Sequence, residues 1–266
     1  MENNHKYNLH THTYRCRHAF GDVDSYVFFG QKAGLSLIGI SDHCPLPTDW
    51  WKHIRMNEDE FPGYVKAINE AKNMFPDVTV LSGMECECFS EFYPYYDELK
   101  DKYSLDYLLG SVHAYKDAEG KHTVCERTMD AKDLIAFADE AVTAMESGKF
   151  DIMAHPDLYM AHVEGWDENT KACAKEIIDT AIGTGSILEL NTSGYEKNSG
   201  YPCREFWEMA CLAGVPFVMN SDAHFPNKLV EGFDKGIMLI SDIEAELGKK
   251  FNRIMPKVEN GKLILT

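Results

Sequence analysis

Short apolar segments alternate with longer amphipathic segments along this chain of 266 residues. The seven short segments, each suited to one buried strand, are Tyr7–His12, Ser36–His43, Val78–Glu87, Tyr107–His113, Ile152–His155, Ile187–Thr192 and Pro216–Asp222. The six segments with helical spacing are about Asp24–Gly34, Glu58–Phe75, Tyr95–Lys102, Met129–Ser147, Glu168–Thr184 and Cys203–Ala213. Alternating strands and helices indicate parallel βαβ units, and seven such strands favour a barrel over an open sheet.

The rest of the chain is predicted to add two strands and a helix. These elements are a strand at Gly236–Ile240, a helix near Asp242–Phe251 and a strand at Lys262–Leu265. No internal repeat, low-complexity stretch or flexible linker divides the sequence. We therefore expect residues 1–266 to form a single α/β domain, whose length matches that of an α/β barrel.

Composition is typical of an ordinary globular protein and excludes several classes of partner. Hydrophobic residues make up 44% and charged residues 26% of the sequence, which argues against intrinsic disorder. No run approaches the roughly 18 apolar residues that span a bilayer, and no secretory signal is visible. The formal charge of −17 disfavours long nucleic acid and anionic membranes as partners. Eight scattered cysteines without a CxxC pair then indicate reduced thiols and a cytoplasmic location.

Histidines and acids occupy the carboxyl ends of most of the apolar segments. These residues are His10, His12, His43, Glu85, His113, His155, Asp222 and His224. In a parallel barrel the carboxyl ends of all strands meet on one face, so residues far apart in sequence converge there. His10 and His12 are two residues apart on a predicted strand and point to the same face. Because imidazoles and carboxylates bind first-row metals, and Glu85 offers a carboxylate that is able to bridge two cations, we predict a clustered metal site.

The sequence lacks the GxSxG, P-loop and GxGxxG motifs of other enzyme classes. Over nearly the whole chain its motifs resemble, in order, those of the PHP (polymerase and histidinol phosphatase) superfamily. The motifs are HTHTYRCRHA with His10, His12 and His18, SDH with His43, GMEC with Glu85, GSVH with His113, AHPD with His155, and NSDAH with Asp222 and His224. The resemblance implies the distorted (β/α)7 barrel of that family, in agreement with the seven predicted strands.

The resemblance also implies a centre of three divalent metal ions, since all nine ligand positions of the trinuclear members are filled. The implied ligand sets are His10, His12, Glu85 and Asp222 for the first ion, Glu85, His113 and His155 for the second, and His18, His43 and His224 for the third. Imidazole and carboxylate ligands do not choose sharply among Zn, Mn and Fe, so any of these metals is expected.

The activity implied by the resemblance is hydrolysis of a small phosphate monoester, with L-histidinol phosphate of histidine biosynthesis as the leading substrate. Ions of such a cluster bind phosphate oxygens and lower the pKa of a bound water, which then attacks phosphorus in line with the leaving alcohol. Asp222 and His224 are the candidates for assisting the leaving oxygen. Within the superfamily, the chain length and the segments 191–194 (NTSG) and 201–206 (YPCREF) resemble histidinol-phosphate phosphatases.

Two arginines that members of that group commonly carry are missing here. No arginine occurs in the segment 155–162 or in the segment 191–197. A cation outside the metal cluster is still expected, because a charge-assisted contact orients the phosphate for in-line attack. The candidates, in order of preference, are Arg204, Lys197, Arg15 and Arg17. Arg204 leads because it lies between the sixth and seventh predicted strands and its guanidinium is able to bind two oxygens.

The proline-rich loop 44–51 directly follows His43 and carries Trp50 and Trp51. These rings are predicted either to cover the site and stack on an organic leaving group or to pack on the barrel. Four histidines match no family motif and are interpreted as structural or solvent-facing; they are His5, His53, His122 and His162.

Two other functions stay open at this point. One is a PHP phosphoesterase that acts on a nucleotide or on the end of a nucleic acid, although the acidic charge and the absence of a basic stripe disfavour long nucleic acid. The other is a non-catalytic metal-binding module, which usually accompanies lost ligands, whereas none is lost here. The expected partner is therefore a small-molecule phosphate ester, and the sequence makes no prediction of oligomeric state.

Overall fold

The computed structural model describes residues 5–266, and in that part of the chain eight parallel strands form one curled sheet surrounded by helices. The strands are β1 (Tyr7–Asn8), β2 (Leu37–Ile40), β3 (Thr79–Glu87), β4 (Tyr107–Ser111), β5 (Ala114–Lys116), β6 (His122–Val124), β7 (Ile152–Met153), β8 (Leu188–Asn191), β9 (Pro216–Asn220), β10 (Asn252–Arg253), β11 (Lys257–Glu259) and β12 (Lys262–Ile264). The sheet order is β1-β2-β3-β4-β7-β8-β9-β10, while β5 with β6 and β11 with β12 form separate antiparallel hairpins. Each of the seven predicted strands is present, and the predicted distorted (β/α)7 barrel is confirmed.

The distortion lies at the seam between β1 and β9. At the carboxyl end the two segments meet, because Thr11 and Ala223 form a parallel bridge and His12 N donates to Ala223 O at 3.0 Å. At the other end β10 pairs with the first residues of β9, with Asn252 opposite Pro216. The barrel is therefore closed at the face where the candidate ligands lie and is widened by an extra strand at the opposite face.

The helices cover the outside of the sheet. They are α1 (Val23–Lys32), α2 (Phe61–Met74), α3 (Tyr93–Tyr103), α4 (Ala131–Glu146), α5 (Glu168–Thr184), α6 (Ser193–Lys197), α7 (Arg204–Ala213) and α8 (Phe233–Leu247). Local chemistry sets their ends: the Asp167 side chain accepts from two backbone amides at the start of α5, and Gly185 ends it with φ of 74°. Among residues 5–266, no helix has the length and apolar character needed to cross a membrane.

The predicted strand at Gly236–Ile240 is wrong, because this segment lies inside α8. Short apolar runs do not distinguish strands from buried helices by periodicity alone. The buried residues of α8 are Phe233, Gly236, Ile240 and Ile243, which recur every three or four positions as a helix requires. Met238 between them is 63% exposed. The helix predicted near Asp242–Phe251 is thus the second half of α8, whereas the predicted last strand exists as β12.

Tyr107 fills the interior of the barrel beneath the carboxyl face. Its hydroxyl donates to Leu9 O at 2.6 Å, one residue before the first candidate ligand. A Cβ atom on Gly39 or Gly83 would lie 2.0 Å or 2.3 Å from atoms of Tyr107, so both strands need glycine for this ring to fit. The packed interior below therefore supports the polar residues above it.

Candidate metal centre

All nine ligands implied by the family resemblance converge at the carboxyl ends of the strands. His10 and His12 follow β1, His43 follows β2, Glu85 lies in β3, His113 follows β4, His155 follows β7, Asp222 and His224 follow β9, and His18 follows a short 3₁₀ turn after β1. Parallel strands bring their carboxyl ends to one face, so residues separated by more than 200 positions become neighbours.

One oxygen of Glu85 faces three imidazoles. Its Oε1 lies 3.0 Å from His155 Nε2, 3.3 Å from His10 Nε2 and 3.4 Å from His113 Nε2. Ser111 Oγ also donates to this oxygen at 2.6 Å, which holds the carboxylate in place. Ligand atoms about 2.1 Å from a tetrahedral metal ion are roughly 3.4 Å from one another, so this spacing fits a shared ion.

The second oxygen of Glu85 faces two other imidazoles. Its Oε2 lies 2.9 Å from His43 Nδ1 and 3.3 Å from His12 Nε2. His12 Nε2 is in turn 3.0 Å from Asp222 Oδ1, and His10 Nε2 is 3.5 Å from the same oxygen. The two oxygens of one carboxylate therefore face different groups of ligands, as a bridging carboxylate must.

A third group of imidazoles lies towards the protein surface. The His18 ring centroid is 4.7 Å from that of His224 and 5.3 Å from that of His43. One ring nitrogen from each of His12, His43 and His224 lies within 4.8 Å of the others. A ring nitrogen of His18, one of His224 and the Cys16 sulfur also lie within 4.8 Å of one another. The implied third ligand set is thus close together in space.

Several of these nitrogens are buried without a hydrogen bond. His10 Nε2, both ring nitrogens of His12, His43 Nδ1 and Glu85 Oε2 lie close to other polar atoms, but among the described residues none of these contacts has the angles of a hydrogen bond. Burying polar atoms without a partner is costly, typically about 1–3 kcal/mol for each group. Divalent cations would satisfy these lone pairs, so the donor set fits bound metal ions.

Buried carboxylates orient two of the imidazoles from behind. His10 Nδ1 lies 2.9 Å from Glu189 Oε1, and His113 Nδ1 lies 3.0 Å from Glu87 Oε1. Each contact leaves Nε2 facing the centre as a neutral ligand, which is the usual arrangement around protein-bound metals. The sequence analysis missed Glu87 and Glu189. The signal was available, since a charge within an apolar strand needs a partner.

Backbone carbonyls orient two further imidazoles. His18 Nδ1 contacts Cys16 O at 2.7 Å, and His224 Nδ1 contacts Asp222 O at 3.0 Å. Both contacts again direct Nε2 away from the chain. Two ligands also hold strained backbone conformations, with φ of 29° at His155 and 51° at Asp222. Such strain concentrates at functional sites because surrounding structure must maintain it.

The charges of the cluster reinforce one another. Burial raises the pKa of Glu85, but the positive charge of His10, His113 and His43 outweighs it and holds that pKa well below its ordinary value. Burial lowers the pKa of His10, yet the carboxylates of Glu189 and Glu85 outweigh it and raise that pKa well above its ordinary value. Protons and metal cations therefore compete for the same nitrogens, and metal binding would release protons.

A cavity of about 460 Å³ opens above the cluster, a size suited to a small molecule. Trp51, Leu158 and Phe225 supply apolar wall, and Glu126 supplies a carboxylate. His162, interpreted from the sequence as structural or solvent-facing, also lines this cavity and therefore lies beside the site.

Among the four predicted phosphate-binding cations, Lys197 is the one that lines the cavity. Lys228, which the sequence analysis missed, lines it too and pairs with Glu196 and Glu231. Lys228 was not singled out because a lysine in a loop carries no motif. Among the described residues, the cavity wall therefore carries two ammonium groups and no guanidinium group.

The other three predicted cations are held elsewhere by carboxylates. Arg204 Nε lies 2.7 Å from Glu208 Oε1, and its Nη2 pairs with Glu246. Arg204 does not line the cavity, so its position does not support its choice as the leading phosphate-binding cation. The remaining two pairs outside the cavity are Arg15 with Asp22 and Arg17 with Glu60. Helix and loop carboxylates neutralise these arginines, because an acidic chain has more acids than cations to pair.

Comparison with known proteins supports the family resemblance. The family described as "PHP domain" matches residues 8–193 of this chain. A Deinococcus radiodurans protein described as a probable histidinol-phosphatase is 28% identical over 244 residues, covering 88% of this chain and 92% of that protein. A Shewanella oneidensis protein described as a probable phosphatase is 23% identical and covers 92% of this chain and 86% of that protein.

Two solved structures share the fold. The Listeria monocytogenes protein HisK has a TM-score of 0.73 at 20% identity, covering 86% of this chain and 99% of that one. Histidinol phosphate phosphatase from Lactococcus lactis, solved with zinc, L-histidinol and phosphate, has a TM-score of 0.72 at 15% identity, covering 97% of this chain and 98% of that one. At these identities the likeness establishes the barrel architecture.

Proposed function

This chain belongs to the PHP domain family, and on that premise we propose that it is a metal-dependent phosphatase that hydrolyses a small phosphate monoester. The observation that carries the proposal is the buried Glu85 carboxylate, which five imidazoles surround at 2.9–3.4 Å on the floor of a cavity. Metal cations bound by these side chains would face a phosphate group that enters the cavity.

Three divalent ions are proposed, with Zn, Mn or Fe as the metal. The proposed ligand sets are His10, His12, Glu85 and Asp222 for the first ion, Glu85, His113 and His155 for the second, and His18, His43 and His224 for the third. The two faces of Glu85 and the outer group of imidazoles support this division. Divalent ions held by these residues would supply positive charge for the phosphate oxygens and would lower the pKa of a bound water to about 7.

The residues of the chain orient the phosphate and move the protons. Water adds across the ester bond, so a new bond joins its oxygen to phosphorus while the bond from phosphorus to the alcohol oxygen breaks and that oxygen takes a proton. Asp222 and His224 are proposed to assist this proton transfer from their place on the cavity wall. Ser193 Oγ donates to Asp222 Oδ2 at 3.2 Å and holds the carboxylate in position. Lys197 is proposed to contact the phosphate as a point charge.

L-Histidinol phosphate is the proposed substrate. The Trp51 and Phe225 rings on the cavity wall suit a flat heterocycle, and the Glu126 carboxylate suits an ammonium group. The volume of about 460 Å³ admits a molecule of this size, and the charge of −17 repels long polyanions. The Deinococcus radiodurans relative, described as a probable histidinol-phosphatase, supports this choice.

The test is a phosphate-release assay with metal-analysed protein against histidinol phosphate, sugar phosphates and nucleotides. Glu85→Gln serves as the matched inactive control, because it keeps the shape of the side chain while removing the bridging charge. We expect the highest kcat/KM with histidinol phosphate. Release from a nucleotide but not from histidinol phosphate would contradict the substrate, and release from no monoester by fully loaded protein would contradict the activity.

A further inference from the structure

Arg55 is a buried arginine whose side chain joins three segments around the metal centre. The residue is 1% exposed. Its Nη2 lies 3.0 Å from Glu87 Oε1, its Nη1 donates to Cys44 O at 2.9 Å, and its Nε donates to Trp51 O at 3.4 Å. Cys44 follows the candidate ligand His43, so this guanidinium lies directly behind the ends of β2 and β3.

The contact with Glu87 reaches the metal centre through one further hydrogen bond. Glu87 Oε1 accepts from Arg55 and also contacts His113 Nδ1 at 3.0 Å, and His113 Nε2 lies 3.4 Å from Glu85 Oε1. Both Arg55 and Glu87 are buried, so each charge needs the other to offset the cost of its removal from water. Removing the guanidinium would leave the Glu87 carboxylate with His113 alone and free to turn away from it.

The contacts with Trp51 reach the cavity. The Arg55 guanidinium lies over the Trp51 ring, 5.5 Å from its centroid, while Nε donates to the carbonyl of the same residue. Trp51 holds a left-handed backbone with φ of 57°, which a tryptophan adopts only when neighbours maintain it. Its ring lines the cavity and lies 6.3 Å from the His113 ring.

We propose that Arg55 is a positioning residue that links two parts of the site, the His113 metal ligand through Glu87 and the cavity wall through Trp51. The proposal rests on the proposed function for its effect on turnover, but its effect on metal binding does not. The guanidinium geometry matters because one planar group serves a carboxylate and two carbonyls at once. A lysine would supply the charge to Glu87 without reaching all three.

The first experiment compares metal binding by Arg55→Met, Arg55→Lys and the native protein in competition with a chelator. Arg127→Met is the matched control, since Arg127 is an exposed arginine paired with Asp133. We expect Arg55→Met to bind one ion at least tenfold more weakly, Arg55→Lys to recover most of that affinity, and Arg127→Met to match the native protein. Arg55→Met on a Glu87→Gln background should add no further loss, because the path runs through Glu87.

The second experiment separates the Trp51 contact by kinetics. In metal-saturated Arg55→Lys, we expect KM for the phosphate ester to rise at least fivefold while the inhibition constant of inorganic phosphate stays within twofold, because Trp51 faces the organic group. Folding is checked by circular dichroism and thermal unfolding, and if Arg55→Met fails to fold, Arg55→Gln, which also removes the charge facing Glu87, replaces it with the same expected loss of metal affinity. A native metal affinity in folded Arg55→Met, or an additive loss in the double variant, would overturn the link to His113. A native KM in Arg55→Lys would overturn the link to Trp51. Absence of phosphatase activity in the metal-loaded native protein would instead reject the proposed function. The effect of Arg55 on metal affinity would still hold in that case.

Discussion

Glu189 Oε1 lies 2.9 Å from His10 Nδ1, although the two residues are 179 positions apart in the sequence. The same carboxylate accepts from Asn220 Nδ2 at 2.8 Å and from His155 N at 3.0 Å. One buried group thus orients the side chain of the candidate ligand His10 and the backbone of the candidate ligand His155. Partners of this kind typically contribute about 10–100-fold to metal affinity.

We therefore expect Glu189→Gln to weaken metal binding by about 10–100-fold while the protein stays folded. Glutamine keeps the size of the side chain but removes the negative charge that strengthens the hydrogen bond from His10 Nδ1 and makes Nε2 a better metal ligand. The measurement is metal affinity by competition with a chelator, with exposed Glu176→Gln as the control. An affinity equal to that of the control would show that Glu189 has only a packing role.

Glu85→Gln is expected to reduce the number of bound metal ions more than His18→Ala does. Glu85 faces ligands on both of its oxygens, whereas His18 belongs to the outer group of imidazoles. A bridging carboxylate serves two ions, so elemental analysis should find about two fewer ions per chain in Glu85→Gln and one fewer in His18→Ala. Equal, small losses in the two variants would contradict the bridge, and no more than one ion in supplemented native protein would contradict the trinuclear centre.

Lys197→Ala is expected to lower kcat/KM at least tenfold, about 1.4 kcal/mol of transition-state binding. Lys197 lines the cavity, whereas Arg204 lies outside it and pairs with Glu208 and Glu246. Arg204→Ala should consequently keep the native kcat/KM. Initial rates with the substrate identified by phosphate release decide between them. The reverse order of effects would mean that Arg204 leaves its carboxylates to bind substrate.

The free energy of unfolding is expected to decrease at acidic pH, partly because of His5. Burial, and secondarily the charge of Arg253, lowers the pKa of His5 to about 3 from the ordinary 6.5. Between these values the unfolded chain binds a proton that the folded protein does not, so the free energy of unfolding decreases as pH falls below about 6.5. His5→Gln should reduce this slope by up to about 1.4 kcal/mol per pH unit. Urea unfolding of both proteins at several pH values measures the difference, and parallel pH profiles would contradict the assignment.

Gly83→Ala is expected to destabilise the protein by about 1–3 kcal/mol. The added Cβ would lie 2.3 Å from the Tyr107 ring, which is fully buried inside the barrel. Gly63→Ala is the matched control, because Gly63 lies within α2 and the added methyl group would meet no atom within 4 Å apart from its neighbours in the helix. The control should stabilise by about 0.5–1 kcal/mol through helix propensity. Thermal unfolding compares the two, and equal effects would show that the barrel interior relaxes around the methyl group.

The succession of the seven predicted strands and the approach of the candidate ligands were predictable because both follow from local patterns. Each short apolar segment ends in its own polar residues, and parallel strands deliver those ends to one face whatever the details of packing. The candidate ligands His10 and His12 could therefore be singled out by spacing and motif. The strand predicted at Gly236–Ile240 failed for the same local reason, because a short apolar run is compatible with a strand and with a buried helix.

Contacts between distant segments were decided by the tertiary structure. Whether Arg204 or Lys197 reaches the cavity depends on where each side chain points and on acids such as Glu246, which is 42 residues from Arg204. The partnership of Glu189 with His10 likewise depends on the closure of the barrel. The sequence by itself determined the strand succession and the chemical types of the ligands, since these are properties of short segments. Only the folded barrel decided which carboxylate orients which imidazole and which cation lines the cavity, because hydrogen bonds and ion pairs act over a few ångströms between residues that are far apart in the sequence.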